Sequence, residues 1–186
     1  MFLPFLPLVG AGPSFTNCRD VEKWGSMAGH KPATKALEVL EQAKVEFAQH
    51  SFPSGQDHFG DNAAAHLTHL EPDQIMKTLV VASGKDLAIA VLPVSYHLSL
   101  KKVAKAWGVK SAEMADPHKA QLATGYIPGG ITALGTKKPL TVFLDESATL
   151  WPTIAVSGGR RGLDVELSPD DYVIVTGATV VDVLAE

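Results

Sequence analysis

Ile75-Met76-Lys77-Thr78-Leu79-Val80-Val81-Ala82-Ser83-Gly84-Lys85-Asp86-Leu87-Ala88-Ile89-Ala90-Val91-Leu92 holds two apolar runs with a turn signal between them. The first run, 75–82, is rich in branched apolar residues and predicts a buried strand. Leu87 to Leu92 predicts a second strand, and Ser83-Gly84-Lys85 predicts the hairpin turn that joins them. Lys77 interrupts the first strand. Lysine is almost never fully buried without a partner. Lys77 therefore either faces solvent on an alternating strand or aims its ammonium into a cavity, at a phosphate or an ester carbonyl.

Outward from this hairpin the elements are mixed. Ala33, Ala36, Leu37, Leu40 and Ala43 fall at helical spacing and predict a helix over 34–45, followed by a strand over 45–52. Asp61 reads as the cap of a helix through Ala63, Ala64 and Leu67. Ser99 opens a helix with Leu100, Val103, Ala104 and Trp107 on one face, and Gly108 ends it. Asp116-Pro117 signals another helix start. Segments 140–144, 153–156 and 163–166 read as strands. Ser168-Pro169-Asp170-Asp171 reads as a capping box, and 179–184 closes the chain as strand or helix. Strands and helices do not alternate one for one, which disfavours a doubly wound parallel sheet. The expected fold is mixed α/β (α+β), a largely antiparallel sheet flanked by helices.

The 186 residues suit one domain, large enough to bury a core without a disulfide or metal staple. Cys18 is the single cysteine, which excludes an intrachain disulfide and a cysteine-based zinc cluster. Net charge is −4, so nucleic acid gripped mainly by charge is disfavoured. Residues 1–26 are apolar but broken by Pro4, Pro7 and Pro13, and no basic residue precedes the apolar run. We expect a poorly ordered extension there and the folded domain over 27–186. No later segment approaches a membrane-spanning length, and a cytoplasmic protein is expected.

Several groups could carry chemistry. Ser157-Gly158-Gly159-Arg160-Arg161-Gly162 is either a tight hairpin turn or a loop whose N–H groups approach an anion or a carbonyl oxygen. Asp164 follows on an apolar strand, where a carboxylate is half-exposed or held by a partner. Gly125-Tyr126-Ile127-Pro128-Gly129-Gly130 is a second glycine-rich loop, suited to a pocket wall or to ordinary packing. His66 and His69 stand three apart but lack a third ligand at convincing spacing. A Ser157-His97-Asp164 triad lacks a nucleophile elbow and reads as chance. Between residues 99 and 138, seven lysines stand against Glu113 and Asp116. Lys101, Lys102 and Lys105 among them form either a solvated helix face or a weak phosphate-binding face.

Taken in order, FGD (59–61), KTLVV (77–81), LKKVAKAWG (100–108), EMADP (113–117), TGYIPGGI (124–131) and SGGRRGLDVEL (157–167) resemble the YbaK/EbsC family of aminoacyl-tRNA editing domains. The resemblance runs from about Pro32 to Glu186. It implies a curved, barrel-like, largely antiparallel sheet wrapped by helices. It also implies a deacylase acting in trans on tRNA(Pro) mischarged with cysteine, working without metal or cofactor. The implied partners are the tRNA(Pro) acceptor end and prolyl-tRNA synthetase in a ternary complex, with no membrane. The family's essential lysine falls on Lys77, its loop glycine on Gly129 and its pocket aspartate on Asp164. Phe52, Phe59, Tyr126, Gly130, Ser157, Gly158, Gly159 and Arg161 fall on substrate-binding positions, and the Lys101–Lys105 face is the expected tRNA side.

Three positions depart from the family pattern: Phe52 in an HTY-like segment, Asn62 after FGD, and Ala133 after the double glycine. They leave open a deacylase for Ala-tRNA(Pro) or another small mischarged residue. A non-catalytic module binding tRNA or a synthetase is the reading from another class.

Overall fold

The computed structural model describes residues 33–54 and 59–186, so the expected extension over 1–26 lies outside the described residues. Helix α1 (Lys35–Ala43) buries Ala36, Leu37 and Leu40, the face its periodicity picks out. The Thr34 hydroxyl caps it by accepting from the Leu37 N–H. The same hydroxyl donates to the Gly158 carbonyl at 2.6 Å, tying the helix start to a distant strand. Strand β1 (Ala48–Ser51) is shorter than expected, because its pairing runs only from Ala48 opposite Glu166 to Ser51 opposite Leu163. Helix α2 (Phe59–His66) begins two residues before Asp61, which is therefore not its cap.

After a 3-10 turn at Pro72–Gln74, β2 (Met76–Ser83) and β3 (Asp86–Pro93) form the expected hairpin, with Ser83 opposite Asp86. The two-residue turn between them places Gly84 at φ +61°, as tight hairpins require. Then come α3 (Leu100–Trp107), β4 (Glu113–Met114) and α4 (Pro117–Thr124). Ser99 caps α3 and Asp116 caps α4, both as their sequences indicate. The chain ends through β5 (Thr141–Leu144), a 3-10 turn at Glu146–Leu150, β6 (Ile154–Arg160), β7 (Leu163–Leu167), α5 (Pro169–Thr176) and β8 (Thr179–Val180).

These strands make two sheets, β1-β7-β6 and β4-β2-β3-β5-β8. β3–β5 and β5–β8 are parallel and every other pairing is antiparallel, so the expected mixed fold is the observed one. The parallel β3–β5 pair follows from the connection through α3 and α4, since parallel strands need a long crossover. An isolated bridge from Ile75 to Ala155 joins the two sheets along one seam. No named strand pairing closes the curved arrangement into a barrel among the described residues.

Alternation along the hairpin divides the interior. Met76, Val80, Ile89 and Val91 enter the main core with Leu37, Leu40, Leu144, Val156 and Val165. Val81, Ala88, Ala90 and Leu92 face the other way and pack with Val103 of α3. A third cluster, Ala63, Leu67, Ile75 and Ala155, lies beneath α2. The hairpin-turn reading of 157–162 holds only at its end, where Arg161 and Gly162 turn between β6 and β7 with Arg160 opposite Leu163. Strand β6 continues through Ser157, Gly158 and Gly159 to Arg160, with a register shift between Ser157 and Arg160. Small residues let a strand bulge and continue where bulkier ones would force a loop.

Replacing Thr34 with alanine removes both the helix cap and the bond to the Gly158 carbonyl. We expect a loss of about 1–2 kcal/mol, read as a lowered urea midpoint at unchanged slope.

Candidate active site

A cavity of ≈ 470 Å³ opens where β2, the β6–β7 pair, the segment after β4 and the 128–131 loop meet. Met76, Val80, Ala120 and Ile131 supply apolar wall, and Lys77, Thr78, Ser157 and Asp164 supply polar groups. Gly129 lines the rim in left-handed geometry at φ +84°. Such a volume and mix of surfaces suit a small organic ligand.

The β6–β7 register builds the polar wall. Ser157 pairs with Asp164, so both side chains project from one face of the sheet, while Val156 and Val165 enter the core from the other. Among the described residues the Asp164 carboxylate accepts no hydrogen bond. Burial pushes its pKa up from 3.8 to about 7. Its charge is therefore poised near neutrality, as at many functional carboxylates. Lys77 does not take the solvent-facing position. It is half-buried at the cavity and donates from Nζ to the Val94 carbonyl at 3.2 Å.

Other predicted residues act from behind the cavity surface. Tyr126 is buried, and its hydroxyl donates to the Leu134 carbonyl at 2.7 Å. Burial pushes its pKa to about 12, so it stays protonated. Its ring lies against Gly159, where a Cβ would stand 2.9 Å from Cε1. Gly130 lets the 128–131 loop press onto β6, since a Cβ there would stand 2.8 Å from Arg160 Cα. Arg161 reinforces that contact by donating from Nε to the Pro128 carbonyl at 2.8 Å. Gly158 packs on Leu163 and receives Thr34 at its carbonyl. Tyr126, Gly130, Gly158, Gly159 and Arg161 thus hold the Gly129 loop and β6 in place without lining the cavity.

The remaining predictions scatter. Phe52 stacks on His66 at 5.3 Å, away from the cavity lining. Phe59 begins α2, and its side chain is outside the described residues. Lys101 and Lys105 are exposed on α3, and Lys102 pairs with Asp182 at 2.7 Å; none of the three lines the cavity. Although Ser157 and Asp164 come together, His97 does not join them at the cavity.

Thr78 is the residue that sequence reasoning missed. It lines the cavity, and its Oγ1 is buried with no hydrogen-bond partner among the described residues. Its place next to Lys77 in the strand was the available signal.

Residues 61–174 match the aminoacyl-tRNA editing domain family. The "Putative Cys-tRNA(Pro)/Cys-tRNA(Cys) deacylase EbsC" of Enterococcus faecalis is 35% identical over 151 residues, 81% of this chain and 92% of that protein. A solved structure described as a "putative trans-editing enzyme for prolyl tRNA synthetase" has a TM-score of 0.71 at 23% identity, covering 84% of this chain and 100% of the other. A second, of a hypothetical protein, gives 0.73 at 23% identity over 82% of this chain and 100% of its own. At such identity these two structures establish the fold. The chain belongs to the aminoacyl-tRNA editing domain family, as its motifs led us to expect.

Because the folded state holds the Asp164 proton more tightly than an unfolded aspartate, this group lowers stability as pH rises from about 4 to about 7, after which the effect levels off. The full penalty is at most about 4 kcal/mol. Asp164→Asn should therefore be more stable than the parent at pH 8, with the difference vanishing near pH 4. Urea titrations at both pH values check this, and a difference independent of pH would contradict it.

Proposed function

We propose that this domain acts in trans to hydrolyse Cys-tRNA(Pro), clearing tRNA(Pro) that has been charged with the wrong amino acid. The observation that carries the reading is the convergence of Lys77, Gly129, Ser157 and Asp164 on one cavity, within a chain 35% identical to a relative named for that activity. The apolar wall suits a small uncharged side chain beside the polar groups that meet the ester.

An aminoacyl ester is already activated, so a protein nucleophile is not required. The substrate's own thiol can attack its ester carbonyl. The bond from the carbonyl carbon to the ribose oxygen breaks, and the proton lost by the thiol passes to the ribose oxygen. The cysteine thiolactone that leaves is opened by water to free cysteine, so the net reaction is hydrolysis. The protein must hold this geometry and stabilise the charge that develops on the carbonyl oxygen. In our reading the Gly129 N–H donates to that oxygen, since no hydrogen bond among the described residues engages it, and the β6 backbone at Ser157 adds to the same wall. Lys77 anchors the terminal adenosine or its phosphate. Asp164 polarises the amino-acid pocket, and a substrate ammonium beside it would draw its proton off. Tyr126 shapes the site through its packing on Gly159, and Phe52 acts only indirectly, by packing on the cluster that holds Ala63 and Ile75.

A net acidic domain holds tRNA weakly by charge alone, so a ternary complex with prolyl-tRNA synthetase would raise the local concentration of the acceptor end. The exposed Lys101 and Lys105 are the proposed tRNA side. No helix among the described residues is long and apolar enough to cross a membrane. The proposed place of action is the cytoplasm, where tRNA is charged.

The test is deacylation of Cys-tRNA(Pro), Ala-tRNA(Pro) and Pro-tRNA(Pro) by the full chain and by Lys77→Ala. We expect turnover of the cysteinyl ester above the other two, and a loss of roughly 100-fold or more in Lys77→Ala at an unchanged unfolding midpoint. Faster loss of the alanyl ester would move the substrate and remove the thiol step. Turnover of none of the three would leave a binding module.

A further inference from the structure

Outside the cavity, the fold brings together three side chains that sequence spacing kept apart. His50 lies on β1, His69 follows α2, and Glu166 lies on β7. One carboxylate oxygen, Glu166 Oε2, stands 2.9 Å from His50 Nε2 and 3.2 Å from His69 Nε2. The three ligand atoms lie within 4.8 Å of one another. None of the three residues lines the cavity.

We propose that His50, His69 and Glu166 form a binding site for a divalent transition-metal ion of the zinc type. Two imidazole nitrogens and one carboxylate are a donor set that zinc accepts, with water in the fourth position. Ligands about 2.0–2.2 Å from a tetrahedral ion stand about 3.3–3.6 Å apart, so small rotations of the two rings complete the geometry. The carboxylate is already oriented, because the Thr153 hydroxyl donates to its other oxygen at 2.7 Å. Such outer contacts fix a ligand's direction and strengthen metal binding. Glu166 is half-buried, with 17% of its side chain exposed, so its carboxylate is held in place on the β1–β7 face. His69, with 52% of its side chain exposed, leaves an entry path from solvent.

The ion would be structural. It would clamp the segment after α2 to the β1–β7 pair, and α2 contributes Ala63 to the cavity wall. His66, the partner that spacing suggested for His69, is not part of the site. Its Nδ1 lies 2.8 Å from the Asn62 carbonyl oxygen, and its ring stacks on Phe52.

The test is calorimetric titration of the metal-stripped full chain with zinc chloride, with cobalt absorption as the second readout. We expect one ion per chain, an intense visible band from four-coordinate cobalt, and a zinc-dependent rise in Tm. His69→Ala and Glu166→Gln should each weaken binding at least about tenfold and abolish the rise in Tm, with His66→Ala unchanged. His69 is exposed enough that its variant should fold, which circular dichroism checks. Failure to bind zinc, or binding that survives both His69→Ala and Glu166→Gln, would overturn the proposal. Neither readout depends on the tRNA substrate, so the deacylase reading stands or falls separately.

Discussion

The register between β6 and β7 governs both the core and the cavity. With Ser157 opposite Asp164, the odd-even alternation sends Val156, Leu163 and Val165 inward and leaves the two polar residues on the other face. A slip of one residue would exchange these faces, placing a carboxylate in the core and valines in the cavity. The register shift after Ser157 confines its distortion to Gly158 and Gly159, beyond that pair. The loop carrying Gly129 then docks on the same strand, with Gly130 allowing backbone contact and Arg161 bonding to Pro128. Strand pairing, packing and the cavity wall are thus one arrangement.

This explains why a cluster of glycines and polar residues can stay ordered at an opening in the fold. The cost falls on Asp164, whose burial raises its pKa to about 7. That penalty is carried by the surrounding apolar packing, in which Ile154, Val156 and Val165 are fully buried. One cavity holds the Asp164 carboxylate and the Thr78 hydroxyl, neither with a hydrogen-bond partner among the described residues. In the proposed reading, the ammonium of an aminoacyl ester meets the Asp164 carboxylate.

Sequence reasoning succeeded where interactions are local. The β2–β3 hairpin, the Thr34-led helix α1, the Ser99 and Asp116 caps and the Gly108 stop all follow from neighbours within a few residues. It failed at α2, where the helix begins before Asp61, and fell short at β6, where Ser157 to Gly159 continue the strand and only Arg161-Gly162 make the turn. In both cases tertiary contact outweighed local preference. Ala63 and Leu67 pack α2 onto Ile75 and Ala155, and β7 pairs with β6 on either side of the bulged Gly158 and Gly159.

Lys77, Gly129, Ser157 and Asp164 were legible as candidates because polar or glycine residues interrupt apolar runs there, and their motifs resembled a known family. Their convergence was not legible, because it depends on strands and loops up to 87 residues apart meeting at one seam. The same limit hid the support roles of Tyr126, Gly130 and Arg161, whose contacts are with backbone atoms elsewhere in the chain. It also hid the His50–His69–Glu166 cluster, since the partner suggested for His69 by spacing along the chain was His66. Hydrophobic periodicity and capping act over one or two turns, so they specify elements and the faces they bury. Which polar groups meet is set by strand register and by how closely backbones approach, and these arise only when the whole core packs.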